Sequence, residues 1–275
     1  MVLLFSLPVH EQQEIVENQI ENILKHNPGS KIMIHVNPSF SSFKKDRINY
    51  PNVFINSKQF NLVHSQGLLW IHVHNYLEAI NLNIEFDHFA LISSNEMFIR
   101  GGLLEYVEKN KNGIHTIEKS PDVGWHIFQN VNFDEKQCFR DILAHMNTTK
   151  IYGGQAEGNF FEKETFAKIT DIFLNVYKAC EIDLQTEEVV LQTIFMGLKV
   201  ENYTLPFTLQ NYSNIMPYTN EFITDLLAKK IVVPHGHRNY WCFSSPHLGK
   251  NIDTIFSIKR VDRNKNSLRD FINTL

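Results

Sequence analysis

Two mostly apolar runs, Val2 to Leu7 and Lys31 to Val36, flank a segment whose hydrophobic residues recur at helical spacing, and this arrangement restricts the fold more than any other feature. Ile15, Gln19 and Ile23, with Val16, Ile20 and Leu24 beside them, give residues 11–26 one apolar face. Pro8-Val9-His10 breaks the first run, and Asn27-Pro28-Gly29 stops the helix. Strand, helix and strand within about 36 residues form a βαβ unit. Its parallel pairing brings Pro8, His10 and Asn37 to one edge of a sheet.

The pattern then returns. Val53 to Ile55 reads as a third short strand; in the helix from Ser65, Leu69, Val73, Tyr76 and Ile80 keep helical spacing, and Phe89 to Ile92 form a further strand. Ser93-Ser94-Asn95-Glu96 follow at once. In open α/β sheets ligands bind beyond the carboxyl ends of the strands, so this polar quartet is a candidate contact for a sugar or nucleotide. Gly101 to Asn110 reads as a short helix, and residues 111–150 are less periodic, with Trp125 and Phe128 as apolar anchors. After Ile151 come a glycine-rich turn, an apolar step at Phe160-Phe161, a helix carrying Phe166, Ile169, Phe173 and Val176, and another helix from about Thr186. Neither repeat nor linker divides the chain, so one α/β domain over residues 1–275 is expected.

With 43% hydrophobic residues in 275, the chain can bury a full core. Lys and Arg total 26 against 30 Asp and Glu, a formal charge of -4, so no global basic field exists to hold nucleic acid or an anionic membrane. Cys138, Cys180 and Cys242 are odd in number and irregularly spaced, a pattern that fits buried thiols in a reducing compartment better than a disulfide framework or zinc ribbon. The opening MVLLFSLPVH has no basic residues before its apolar run and no small-residue cleavage site, and no later stretch approaches the roughly 20 apolar residues of a spanning helix. A cytoplasmic location is expected, with room for peripheral association at the inner face of the cell membrane.

Several clusters admit two readings. Glu187 and Glu188 fall at the expected start of a helix, behind Thr186 as N-cap; they complement the helix dipole, or one serves as general base for a hydroxyl acceptor. Lys259, Arg260, Arg263, Lys265 and Arg269 crowd the tail, either as a solvated basic end or as fixed cations for a diphosphate leaving group, the task a divalent metal performs elsewhere. Gly153-Gly154 and Glu157-Gly158 form a tight connection, or a loop that brings backbone close to a ligand and Glu157 to sugar hydroxyls.

The 13 histidines invite a metal reading. Yet His72 and His74, two apart on a helix, point about 200° apart, and His235-Gly236-His237 has no carboxylate-rich partner motif. No Asp-x-Asp occurs, and the pairs Glu85/Asp87 and Glu181/Asp183 precede their elements instead of following a buried strand. No metal ligand and no cofactor is therefore expected. The chain also lacks G-x-G-x-x-G after its first strand, a Walker lysine motif and a G-x-S-x-G elbow, which leaves dinucleotide oxidoreductases, P-loop enzymes and serine hydrolases without support.

VLLFSLPVHEQQEIVENQIENIL with KIMIHVNPSF, VFINSKQFNLVHSQGLLWIHVHNYLEAI, HFALISSNEMFIRGGLLEYV, GGQAEGNFFEKETFAKI, TEEVVLQTI and the final IFSIKRVDRN follow one another in a telling order. Across most of the chain they resemble the core-2/I-branching β-1,6-N-acetylglucosaminyltransferase and peptide xylosyltransferase family, in a short bacterial form. Asn37 stands where that family usually has an aspartate, His64 to Gly67 replaces its Trp-Gly pair while keeping the glycine, and Asn95-Glu96 takes the place of a polar residue and aspartate.

The resemblance implies a glycosyltransferase-A-like, Rossmann-type mixed sheet flanked by helices, with a nucleotide-sugar-binding half over residues 1–110 and an acceptor-binding and catalytic half over 111–275. It implies an inverting, metal-independent transfer from a nucleotide sugar, UDP-linked and with UDP-GlcNAc as a candidate, to a hydroxyl of a bacterial surface glycan. Glu188 matches the family's catalytic base, with Glu187 one residue away. Pro8, His10, Asn37, His64, Gln66, Gly67 and Asn95 would border nucleotide and donor sugar, Lys259, Arg260 and Arg263 would hold the diphosphate, and Glu96, Glu157, Gly158 and Glu187 would meet sugar or acceptor. A metal-dependent transferase of the same fold and a non-catalytic glycan- or nucleotide-binding relative are the alternatives.

Overall fold

Alternation along the first strand divides the core in two. In the computed structural model of the chain, which describes residues 1–60, 67–177, 186–210, 218–230 and 252–275, β1 (Leu3–Val9) is buried along its whole length. Leu3, Phe5, Leu7 and Val9 enter one hydrophobic cluster and Leu4 another. A period of two along a strand sends them to opposite faces of the sheet. Pro8 does not end this strand as expected: it pairs opposite His35 and pairing continues to Val9.

The chain continues through α1 (Gln13–His26), β2 (Lys31–Val36), β3 (Val53–Ile55), α2 (Leu68–Asn81) and β4 (His88–Leu91). Next come β5 (Glu96–Phe98), α3 (Leu103–Asn110), β6 (Ile117–Glu118), α4 (His126–Asn130), α5 (Gln137–His145) and β7 (Tyr152–Gly153). Then follow β8 (Phe160–Glu162), α6 (Lys163–Ile172), α7 (Thr186–Gly197), β9 (Thr208–Gln210), α8 (Asn220–Leu227), β10 (Ser257–Lys259) and α9 (Ser267–Thr274).

The principal sheet has the order β3-β2-β1-β4-β8. Its first four strands are parallel, and β8 runs antiparallel to β4. From β1 the chain moves outward to β2 and β3, then returns past all three to β4, so the direction of winding reverses between β1 and β4. Val16, Ile20 and Ile23 of α1 pack into the cluster on one face; Leu69, Val73, Tyr76 and Ala79 of α2 pack into that on the other. The protein is thus a mixed α/β fold with a parallel-dominated sheet between helices.

A second sheet has the order β5-β10-β9, with β10 antiparallel to β5 and parallel to β9. The segment read from sequence as a basic tail supplies its middle strand. Glu96 ties all three strands, because its Oε1 accepts hydrogen bonds from Thr208 Oγ1 and Ser257 Oγ, each at 2.6 Å. The outer edge of β5 is covered by α1: Asn22 Nδ2 donates to Phe98 O at 2.9 Å, and its Oδ1 accepts from Phe98 N at 2.7 Å. This closes an edge that would otherwise offer unpaired backbone groups. Met97, Leu209 and Ile258 pack from this sheet against Ile223 of α8 and Ile272 of α9.

Two further observations bear on the expected compartment. Cys138 is disulfide-bonded, which corrects its reading as a buried thiol and removes the argument for reducing surroundings. Cys180 and Cys242 lie outside the described residues. Among the described residues no helix is long and apolar enough to cross a membrane.

Candidate active site

Where the winding of an open α/β sheet reverses, the connections on either side leave in opposite directions and a crevice opens at the carboxyl ends of the strands. A cavity of about 250 Å³ lies there, between β1 and β4. Pro8 and His10 reach it from the end of β1, and Ile92, Ser93, Ser94 and Asn95 from the turn after β4. Leu68 and His72 enter from the start of α2, Ala156 and Glu157 from the loop before β8, and Glu187 from the start of α7. Lys259, Arg260 and Arg263 come from the end of β10 and the turn beyond it.

The loop carrying Glu157 is stitched to both sheets. Gly158 N donates to Leu91 O at 2.8 Å, and Phe207 N donates to Gly158 O at 3.0 Å. Gln155 Nε2 donates to Glu157 O and Thr208 O, each at 2.7 Å. Gly158 adopts φ +78°, and a side chain there would overlap the Thr208 hydroxyl and amide, so the close approach needs glycine. Glu157 thereby stands at the seam between the sheets. Its two carboxylate oxygens accept hydrogen bonds from Lys259 Nζ and Gln210 Nε2. Burial opposes its charge, but the charge and hydrogen bond of Lys259 outweigh burial and hold the carboxyl below its ordinary range.

A second carboxylate organises the opposite wall. Buried Glu11 gathers Ser94 Oγ at 2.5 Å, Arg263 Nε at 2.9 Å and His10 Nε2 at 3.3 Å around its Oε1. Between these walls Arg260 has left-handed backbone, φ +74°. That conformation costs a non-glycine residue about 1 to 2 kcal/mol. Two hydrogen bonds maintain it, since Arg260 N and Val261 N both donate to Asn95 O at 3.0 Å. The Arg260 side chain is exposed, and no carboxylate is paired with it among the described residues. Of these three cations, Lys259 and Arg263 are paired with internal acids and Arg260 is not.

The acidic pair of α7 is tuned in the other direction. Burial pushes Glu187 up to about 8, and the neighbouring Glu188 adds to the shift. Burial, with the charge of Glu157, raises Glu188 to about 7 against the pull of Lys259 and Arg260. Glu187 is buried and walls the cavity, whereas Glu188 keeps partial exposure. Thr186 is the first helical residue, and its hydroxyl has no partner among the described residues, so the expected N-cap bond is not made.

Pro8, His10, Asn95, Glu157 and Glu187 are thus brought to one cavity with Lys259, Arg260 and Arg263. Asn37, Gly67, Glu96, Gly158 and Glu188 do not line it. Asn37 Oδ1 accepts from Ser39 N and Oγ at 3.0 and 2.9 Å, Gly67 opens α2 at φ +91°, and Glu96 is enclosed in the second sheet. His64, Gln66 and His235-Gly236-His237 lie outside the described residues. Sequence reasoning missed Glu11, which it placed within the first helix, and gave His72 no role beyond a discarded metal site. A buried serine and asparagine within apolar segments, Ser6 and Asn75, are the signal that could have singled out His72. Among the described residues no group of three or more His, Cys, Asp or Glu is arranged to hold a metal ion.

No known sequence family and no curated protein matches the chain. Solved structures with a similar chain trace include a 4-diphosphocytidyl-2C-methyl-D-erythritol synthase, at 10% identity over 82% of this chain and 97% of that one, with a TM-score of 0.45. An active-site mutant of LgtC is similar at 9% identity over 99% and 94% of the two chains, with a TM-score of 0.45. A nucleoside-diphosphate-sugar pyrophosphorylase from Vibrio cholerae RC9 is similar at 7% identity over 74% and 91%, with a TM-score of 0.43. These likenesses are too weak to carry weight, and the fold described above rests on strand order and register alone.

Proposed function

We propose that the chain is an inverting, metal-independent glycosyltransferase that passes a sugar from a UDP-linked donor, UDP-GlcNAc being the first candidate, to a hydroxyl of a bacterial surface glycan. The observation that carries this reading is the meeting of Lys259, Arg260 and Arg263 with Glu187 at the crevice between β1 and β4, where the charges of Lys259 and Arg260 also act on the adjacent Glu188. Glu188 removes the proton of the acceptor hydroxyl, whose oxygen attacks the anomeric carbon in line as the bond to the diphosphate breaks. Lys259, Arg260 and Arg263 meet the charge that develops on the leaving nucleoside diphosphate. Glu187, protonated at neutral pH, donates a hydrogen bond to the sugar, and Glu157 keeps lone pairs free to accept from its hydroxyls. Work on a surface glycan would bring the protein to the inner face of the cell membrane as a peripheral partner.

The test is a donor screen with UDP-GlcNAc, UDP-glucose and UDP-galactose, followed by turnover of the donor that binds. Glu188→Gln is expected to cut turnover by at least about 100-fold while leaving donor affinity near normal, the scale of a lost general base. Near-normal turnover in that variant rejects Glu188 as base; binding with no turnover in the wild type supports a non-catalytic binding protein instead.

A further inference from the structure

A chain of buried polar side chains runs from the edge of β3 to the floor of the cavity, and its polarity can be worked out one group at a time. Lys58 N donates to Asn56 Oδ1 at 2.9 Å, and a backbone amide can only donate, so the Asn56 amide is oriented. Asn56 Nδ2 then donates to Asn75 Oδ1 at 2.8 Å. Asn75 Nδ2 donates to Met33 O at 3.2 Å, and a carbonyl can only accept, so this second amide is fixed in the same sense by an independent anchor. Its other hydrogen goes to Ser6 Oγ at 2.9 Å. Ser6 Oγ lies 2.7 Å from His72 Nδ1. Having accepted from Asn75, the hydroxyl has its own proton left to give, and Nδ1 is the acceptor within reach.

His72 is therefore the tautomer protonated on Nε2. The ring is nearly enclosed, 4% exposed, and lines the cavity. With Nδ1 committed to Ser6, Nε2–H is its remaining polar group. Burial pushes the imidazole down to about 3, so the ring is neutral throughout the physiological range. The charge of Glu157 acts on both His72 and Glu187, and all three line the cavity, so His72 shares a wall with Glu157 and Glu187. In the transferase reading, on which this step rests, that wall faces the sugar.

We propose that His72 is a specificity-determining residue that presents a fixed, neutral Nε2–H donor to an uncharged oxygen, hydroxyl or carbonyl, of the donor sugar. A neutral donor adds no charge to a wall that must leave the acceptor's base free to ionise. It also discriminates, since a sugar without an acceptor oxygen at that point would leave the buried N–H unpaired.

The experiment has two arms. In the wild-type chain labelled with nitrogen-15 at histidine, and with the His72 signals assigned by their loss in H72Q, Nδ1 is expected as the unprotonated and Nε2 as the protonated nitrogen; the reverse tautomer overturns the donor itself, whatever the protein's activity. In binding measurements with UDP and UDP-GlcNAc, His72→Asn, which keeps a group near Nδ1 and removes Nε2–H, is expected to weaken UDP-GlcNAc by roughly tenfold while leaving UDP unchanged. His72→Gln, which restores an N–H near Nε2, is expected to recover part of that loss. Equal loss for UDP and UDP-GlcNAc, or no loss in a folded H72N, overturns the assignment to the sugar. Failure of the wild type to bind any of the three UDP-sugars would overturn the transferase reading and the sugar with it, and the tautomer would still stand or fall on its own signal.

Discussion

Burial lifts Glu96 and Glu188 to the same acidity, about 7, in surroundings that give the proton different consequences. Glu96 is 1% exposed and bound to two hydroxyls, so its proton is a matter of folding. Its carboxyl holds a proton more tightly folded than unfolded, where 4.5 is the ordinary value. The stabilisation is complete below about pH 4.5 and is lost as pH rises through about 7. Unfolding free energy measured by denaturant titration is expected to decline from pH 5 to pH 8, with Glu96 accounting for about 2 to 3 kcal/mol of the decline. Glu96→Gln should flatten that slope, and an unchanged slope would exclude Glu96 as its source. For Glu188 the proton is a matter of rate: a base must be ionised, so kcat/KM should rise with pH through about 7 and fall again as Glu187 loses its proton above about 8, and Glu188→Gln should abolish the rise.

Among the elements, α9 shows how one buried cation can shape the loop that precedes its helix. Arg269 is 2% exposed; its Nε donates to Asp262 O at 2.5 Å and its Nη1 to Asn18 Oδ1 at 3.1 Å, linking the turn after β10 to α1. Asn266 caps the same helix by accepting from Arg269 N at 2.9 Å. Arg269→Ala removes a large buried side chain and leaves the Asp262 carbonyl without its donor, a change expected to cost about 2 to 4 kcal/mol. Because Arg263 belongs to the turn that Arg269 holds, donor affinity is expected to fall as well. Lys265 is exposed on the same segment, and Lys265→Ala should change stability by no more than about 0.5 kcal/mol. Parallel denaturation and binding curves of the two variants check the contrast; equal effects would mean that charge, and not the buried link, matters in this segment.

At the scale of the whole molecule, a chain of net charge -4 concentrates three cations at one crevice. Turnover in excess chelator is expected to stay within about twofold of the untreated protein, since side chains supply the charge a metal would. Loss restored by manganese would favour a metal-dependent transferase of the same fold. The helices and the long strands of this fold were legible because periodicity over ten or more residues outweighs local exceptions: Ile15, Val16, Ile20 and Ile23 mark α1, and the apolar run after Met1 marks β1. The strand ends then located the crevice, because a parallel sheet must put Pro8 and Ser93 on the same side. The strands β5, β9 and β10 lack the uniformly apolar run that marks β3, and their pairing depends on partners far along the chain, Glu96 with Thr208 and Ser257. That is why a segment rich in Lys and Arg read equally well as a solvated tail or as a wall of the site. Sequence determined the α/β class, the parallel sheet and the side of it on which a ligand would meet polar groups, for these follow from local spacing. Only the tertiary structure decided that β10 is threaded through the middle of a second sheet, that Glu11 and Glu157 each hold one cation and leave Arg260 exposed, and that His72 ends a buried chain of polar side chains at the cavity, since each depends on contacts between residues tens to hundreds of positions apart.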